Sequence, residues 1–267
     1  QMTGSMTNAS DGTWSMLAGV AGTRRANGTF VNQGRLTVED VRAEFRGTLT
    51  NTNVIDVKGT GYVECFDTPT FNMNSGSLKT AVHFWLHGGT INLQAGTLEG
   101  RVGIQNGSVV FKPSSSVQGT VVATGTSQVT GKINSGASIK AAGSSTWSHA
   151  NLTMNDVQNA GEIRLETESG AYDSNMAGKL TNLSGGSIKC IRAQGGNRWI
   201  TADLVNQGSM LIEANQATYL QGKTIHSGSL VTAGPTYVNG GNAEFTMLGG
   251  SVDAAGSLWG YGRPFKL

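Results

Sequence analysis

The sequence predicts an all-β chain: a single-domain parallel β-helix (β-solenoid) of about 11 coils, with a coil length of about 22 residues. Three observations predict it. A turn-and-strand unit recurs from end to end. Its aliphatic residues keep a fixed register to the turn. The composition is rich in Gly and poor in charge, with 39 Gly and 13% charged residues in 267.

The unit is clearest at residues 204–213, Leu-Val-Asn-Gln-Gly-Ser-Met-Leu-Ile-Glu, and at 30–39, Phe-Val-Asn-Gln-Gly-Arg-Leu-Thr-Val-Glu. The turn glycine, or its substitute, falls at Gly34, Asn53, Gly76, Gly96, Gly119, Gly136, Gly161, Gly186, Gly208, Gly228 and Gly250. Two residues later stand Leu36, Ile55, Leu78, Leu98, Val121, Ile163, Ile188, Met210, Leu230 and Val252. In the Gly136 copy a one-residue shift brings Ile139 into line. Small or apolar residues follow at the next alternate position, and Ser or Thr often stands between. Alternation of this kind is a strand with one buried face. Gly tolerates positive φ, and Asn tolerates it better than most residues. The asparagines two before the slot (Asn32, Asn51, Asn74, Asn134, Asn159, Asn206) are therefore read as turn formers.

One short strand per copy cannot bury its apolar face alone, whereas stacked copies can. A sandwich or barrel would also be Gly-rich with many short strands, but it needs no constant register between turn and aliphatic residue. The Asn-x-Gly coils resemble the right-handed parallel β-helix of secreted bacterial surface proteins, the filamentous-haemagglutinin type of adhesin and the pectin-lyase-like families. The resemblance covers about residues 28–256 and rests on repeat geometry and composition.

Residues 1–27 read as an N-terminal arm or cap, in which the 14–21 stretch covers the first coil. Residues 28–256 form the solenoid, and 257–267 form an aromatic tail. Segments 59–69, 143–157, 168–177 and 191–200 exceed a minimal coil and read as loops, where sites are expected. Net charge is +2 with scattered basic residues, which argues against nucleic acid as a partner. No apolar run is long enough to span a membrane. The first residue is Gln, as in a mature secreted chain or a fragment. Sequons occur at Asn8, Asn27, Asn106, Asn151 and Asn182.

No catalytic, cofactor-binding or metal-binding residues are assigned. Glu162, Arg164, Glu166 and Glu168 share one strand, with Lys189 over Arg164, and read as a charged face rather than a Ca²⁺ or acid–base site. His83 and His87 share a strand face too far apart for one metal. Trp147 and Trp199 are candidate glycan-stacking residues. Trp14, Trp259, Tyr261 and Phe265 are candidate interface residues at the ends. Cys65 and Cys190 stand six coils apart, about 29 Å at ~4.8 Å per coil, too far for a disulfide. Cys190 is expected as a buried thiol.

The function these observations favour is a secreted structural or adhesive β-solenoid, a filament or surface-layer subunit assembling end to end, and not an enzyme. The alternative is a protein that binds or cleaves polysaccharide. Aromatics along one face would favour the binder, and a groove with two carboxylates and a Lys or Arg would favour the enzyme.

Overall fold

The computed structural model describes residues 1–19 and 22–266. Val20 and Ala21, part of the stretch expected to cover the first coil, lie outside the described residues. Every helix or strand among the described residues is a β-strand, and strands one coil apart pair in parallel. The fold is a parallel β-solenoid. The chain divides into two compact units, Gln1–Val122 and Ala123–Leu267.

In the first unit, strands Thr13–Leu17, Arg35–Glu39, Val54–Lys58, Ser77–Thr80 and Thr97–Glu99 stack into one parallel sheet. They carry the predicted column: Leu36 lies on Ile55, Ile55 on Leu78 and Leu78 on Leu98. A second stack holds longer strands, Met2–Asn8, Arg24–Asn32, Arg42–Asn51 and Tyr62–Met73. In the next two coils this strand is split, as Phe84–His87 with Thr90–Leu93 and Val102–Gln105 with Ser108–Phe111. The first three of these strands bend where glycines pile up: Gly4, Gly28 and Gly47 lie in register with φ of 101°, 112° and 117°, whereas Tyr62–Met73 turns at Asp67 and Thr68. A Cβ on Gly28 would strike the Gly4 carbonyl, so this corner needs glycine for space as well as for φ.

The second unit repeats the plan. Ile139, Ile163, Ile188, Met210, Leu230 and Val252 stack in order. All but Val252, the last in the column, are buried. Beside them Leu165, Cys190, Ile212 and Thr232 form a second inner row. Cys190 is buried there as expected, and burial pushes its thiol up to about 12. Burial likewise raises the Cys65 thiol far above its ordinary value. Both cysteines are free.

Six coils in the first unit and seven in the second make about 13 turns, against the eleven expected. The difference lies at the two termini. The arm is itself the first coil: Met2–Asn8 pairs with Arg24–Asn32, and Trp14 stands directly on the Leu36 column. The tail is the last one: Ser257–Gly260 and Phe265–Lys266 pair with Pro235–Val238 and with Glu244–Met247. Of the four predicted loops, 59–69 and 143–157 are mostly strand, taken up by Tyr62–Met73 and Ala150–Asn159. The other two stay mostly loop, and strand enters them only at Ser174 and Arg198.

The turn asparagines do not enter the left-handed region expected of them. Four of them, Asn32, Asn51, Asn159 and Asn206, end strands inside the coil and bond to neighbours one coil away. Asn159 Nδ2 donates to Asn182 Oδ1 (2.7 Å), Asn182 Nδ2 to Asn206 Oδ1 (2.7 Å), and Asn206 meets His226 Nδ1 at 3.0 Å. In the first unit Asn8, Asn32 and Asn51 do the same at 2.8 Å, until Met73 takes the rung and Asn74 is exposed. Buried amides need both donors and acceptors satisfied, and a stack one coil apart does this from identical residues. Asn182 is fully buried in this ladder, which removes it as a usable glycosylation sequon. The glycines of the slot serve close approach as much as positive φ. Gly208 has no positive φ, but a Cβ there would run into the carbonyls of Gly186 and Leu183.

Candidate functional site

With the inward positions filled by aliphatic residues, any chemistry must come from side chains pointing outward. Along a strand these are every second residue, and on adjacent coils they lie in rows. Two such rows, one in each unit, gather the polar and aromatic side chains.

In the first unit Arg25, Glu44, Glu64 and Trp85 are in register over four coils. Glu44 is almost completely covered, and its two oxygens are shared by Arg25 Nε (2.7 Å), Arg42 (3.1 Å) and Arg46 (3.7 Å). Glu64 lies between Arg42 at 2.8 Å and His87 Nε2 at 3.3 Å. The His87 ring stacks on Phe66 with centroids 4.5 Å apart, and Arg101 covers Trp85 at 4.9 Å. His83 packs on Tyr62 at 4.8 Å. Burial, the largest cause, lowers its pKa against the pull of Glu64. Glu44 and Glu64 stand one coil apart and make an acid pair with Arg42 between them. The pair was missed at the level of sequence, and the signal that could have found it is their shared place in the repeat. All four carboxylate oxygens are nevertheless engaged within the network.

The charged strand of the second unit is closed in the same way. Glu166 pairs with Lys140 and with Arg164 (2.9 Å), Glu168 with Lys140 (3.3 Å), and Glu162 with Lys189. Among the described residues no group of three or more His, Cys, Asp or Glu is placed to hold a metal.

The second row is aromatic. Asn175, Trp199, Tyr219, Tyr237 and Trp259 stand in register on the outward face of the second unit. Trp199 stacks on Tyr219 with centroids 4.1 Å apart and 14° between planes, and Tyr219 stacks on Tyr237 at 5.1 Å. Two neighbours set the indole. Its Nε1 donates to Asp173 Oδ2 at 3.0 Å. The preceding residue, Arg198, turns inward, fully buried, and donates to the carbonyls of Leu165, Ile191, Arg192, Gly195 and Asn197 at 2.6 to 3.1 Å. Those bonds tie down the 191–197 loop beside the row. A charged side chain in that place was not legible, since arginine is rarely fully buried. Beside Trp199 the surface drops to short side chains, leaving a groove of about 340 Å³ bounded by Asn151, Thr153, Asn175, Ala177 and Gln221.

The remaining candidate residues separate. Trp147 is half-buried in a tight turn closed by Ser144 and Ser148. Trp14 points into the first coil, against Phe30 at 4.4 Å. Phe265 points inward and stacks on Phe245 at 5.0 Å. Trp259 and Tyr261 are exposed on the last coil, at 54% and 59%.

Scans of the chain against protein-family models, curated proteins and solved structures find no match. The parallel solenoid therefore stands on its own geometry, and no match supports the expected likeness to the haemagglutinin-type and pectin-lyase-like families. No helix among the described residues is long and apolar enough to cross a membrane.

Proposed function

We propose that the chain is a structural, adhesive β-solenoid of a secreted or cell-surface protein, and that it adds to a second copy of itself through an end coil. The observation that carries this reading is the parallel pairing of each coil on the next, which leaves an open strand edge over an apolar interior at whichever coil ends a stack. Val252 and Phe265 illustrate what such an edge uncovers: they are less covered than Leu230 and Phe245 one coil before them in the same rows, with Phe265 37% exposed. Strand edges with apolar neighbours pair readily with another chain. A contact of this kind that does not close builds a filament. Low charge and abundant Gly, Ser, Thr and Asn fit an extracellular setting.

Cutting the chain after Ala255 would merely uncover Tyr237 and Phe245 as a new end, so point substitution is the better test. Leu258→Glu with Phe265→Glu places charge on the end without shortening the coil. In sedimentation velocity the unaltered protein should shift to larger species as concentration rises, and the double variant should remain monomeric with an unchanged β-sheet spectrum. A monodisperse unaltered protein at high concentration, or a variant that still polymerises, would overturn the reading.

A second reading, polysaccharide binding, is favoured by the outward row Trp199, Tyr219, Tyr237 and Trp259. A row of aromatics on one face is the feature expected of a glycan binder.

A further inference from the structure

We infer that the groove beside Trp199 is a binding site for a neutral pyranose unit of a polysaccharide, with the indole as its stacking wall; this rests on the second reading above. The first argument is the step in the surface. In the row Asn151, Asn175, Trp199, Tyr219, Tyr237, small side chains give way to rings at Trp199. Tyr219 covers one face of the indole. Among the described residues no other aromatic ring is placed to pack on it, and the groove opens against it with Asn175 and Ala177 as floor.

The second argument is that the wall is held in place. Asp173 takes the indole N–H at 3.0 Å, and Tyr219 backs the ring. An aromatic fixed in this way loses little entropy on binding, and its negative face suits the C–H face of a sugar ring. The third argument is the polar chemistry of the floor. Asn175 Nδ2 donates to Asn151 Oδ1 at 2.6 Å, and Thr153, Thr201 and Gln221 join these two amides around the groove. Uncharged donors and acceptors of this kind suit hydroxyl groups.

Charge selects among sugars. No ionisable side chain lines the groove, and the anion nearest the indole is Asp173. A uronic acid or sulfated sugar would find no cation there, whereas a neutral hexose or pentose loses nothing. The volume of about 340 Å³ falls within the roughly 300–1,000 Å³ of small-ligand sites. It suits one or two rings of a longer chain.

The test uses the full chain with cellohexaose, mannohexaose, xylohexaose and β-1,4-galactohexaose as neutral probes and trigalacturonate as the acidic one. Binding is followed by the indole N–H resonances of the five tryptophans. At least one neutral probe should move the Trp199 resonance. Trp199→Ala should weaken that binding roughly tenfold or more, the loss typical of an anchoring aromatic. Ala177→Arg points outward, fills the groove and leaves the Trp199–Tyr219 stack in place; it should abolish binding with an unchanged β-sheet spectrum. A neutral sugar that binds equally well to Ala177→Arg would refute this site and leave polysaccharide binding standing elsewhere. Binding of trigalacturonate alone would refute the sugar class. If no probe binds, this site and the second reading both fail.

Discussion

The first half of each long strand presents an outward row, and the two units fill it with opposite chemistry. In the first unit the row reads Arg25, Glu44, Glu64, Trp85, and in the second Asn175, Trp199, Tyr219, Tyr237. Coils repeat every ~4.8 Å, so the side chain above and the one below are always nearest neighbours. Where the row carries charge, neighbours of opposite sign neutralise each other and the face closes. Where it carries rings, they stack, and the first ring keeps a face for something else. The backbone fixes a pitch, and the choice of residue decides whether that pitch yields a sealed surface or a ledge.

What the units share is the interior, and breaking it should have the largest effect. Ile163→Asp sets a carboxylate between Ile139 and Ile188 with no cation in the column. An unpaired buried charge of this kind exceeds the roughly 5–15 kcal/mol stability of a typical domain. The expected outcome is no soluble, cooperatively melting protein, read by circular dichroism. A folded Ile163→Asp protein would mean that the register is wrong.

The two rows themselves can then be set against each other. Glu44→Gln leaves Arg25, Arg42 and Arg46 around a neutral amide. Loss of one partner of a fully buried pair costs about 3–5 kcal/mol. These guanidiniums remain partly solvated, so about 2–3 kcal/mol is expected here. Tyr219→Ala removes two ring contacts from a solvent-facing stack; at the lower end of the roughly 0.5–1.5 kcal/mol that each is worth, about 1 kcal/mol in all, it should cost less. Urea melts of both variants test the order. A Tyr219→Ala loss larger than that of Glu44→Gln would make the aromatic row a structural brace and weaken the case for it as a binding wall.

The interior was legible in the sequence because it obeys a single period. Leu36 and Ile55 announce themselves two residues after a turn, as do Ile163 and Ile188, and pairing places each where expected. The asparagines were legible as positions but not as chemistry. A bond from Asn159 to Asn182 joins residues 23 apart in sequence, and turn propensity gives no hint of it. Asn182 itself stands four before its glycine rather than two, so the pattern passed over it. The outward rows were least legible. Glu44 and Glu64 share no local motif, and only the exact coil length, here 20 residues, brings them together. Trp199 was visible as a residue, yet its meaning depends on Tyr219, Tyr237 and the small Ala177, which lie on neighbouring coils or two places along the strand.

The smallest expected effect lies at the last coil and contrasts a surface ion pair with the covered network around Glu44. Lys266, on the final strand, donates to Glu244 Oε1 at 2.6 Å. That hydrogen bond, and then the lysine charge, hold the Glu244 carboxyl below its ordinary value. A depressed carboxyl contributes stability that is fully present above its unfolded value, roughly 4.3, and that is lost as pH falls through the lower folded value. Acidification should therefore loosen the Phe265–Lys266 strand while the inner columns hold. Both partners are at the surface, so salt should screen the effect. Hydrogen exchange should report faster exchange at 265–266 below the ordinary carboxylate range, or at high salt. Glu244→Gln should show the same loosening at neutral pH and no further change on acidification. If acid loosens that strand equally in Glu244→Gln, the pair does not hold it and the stacking of Phe265 on Phe245 is what remains.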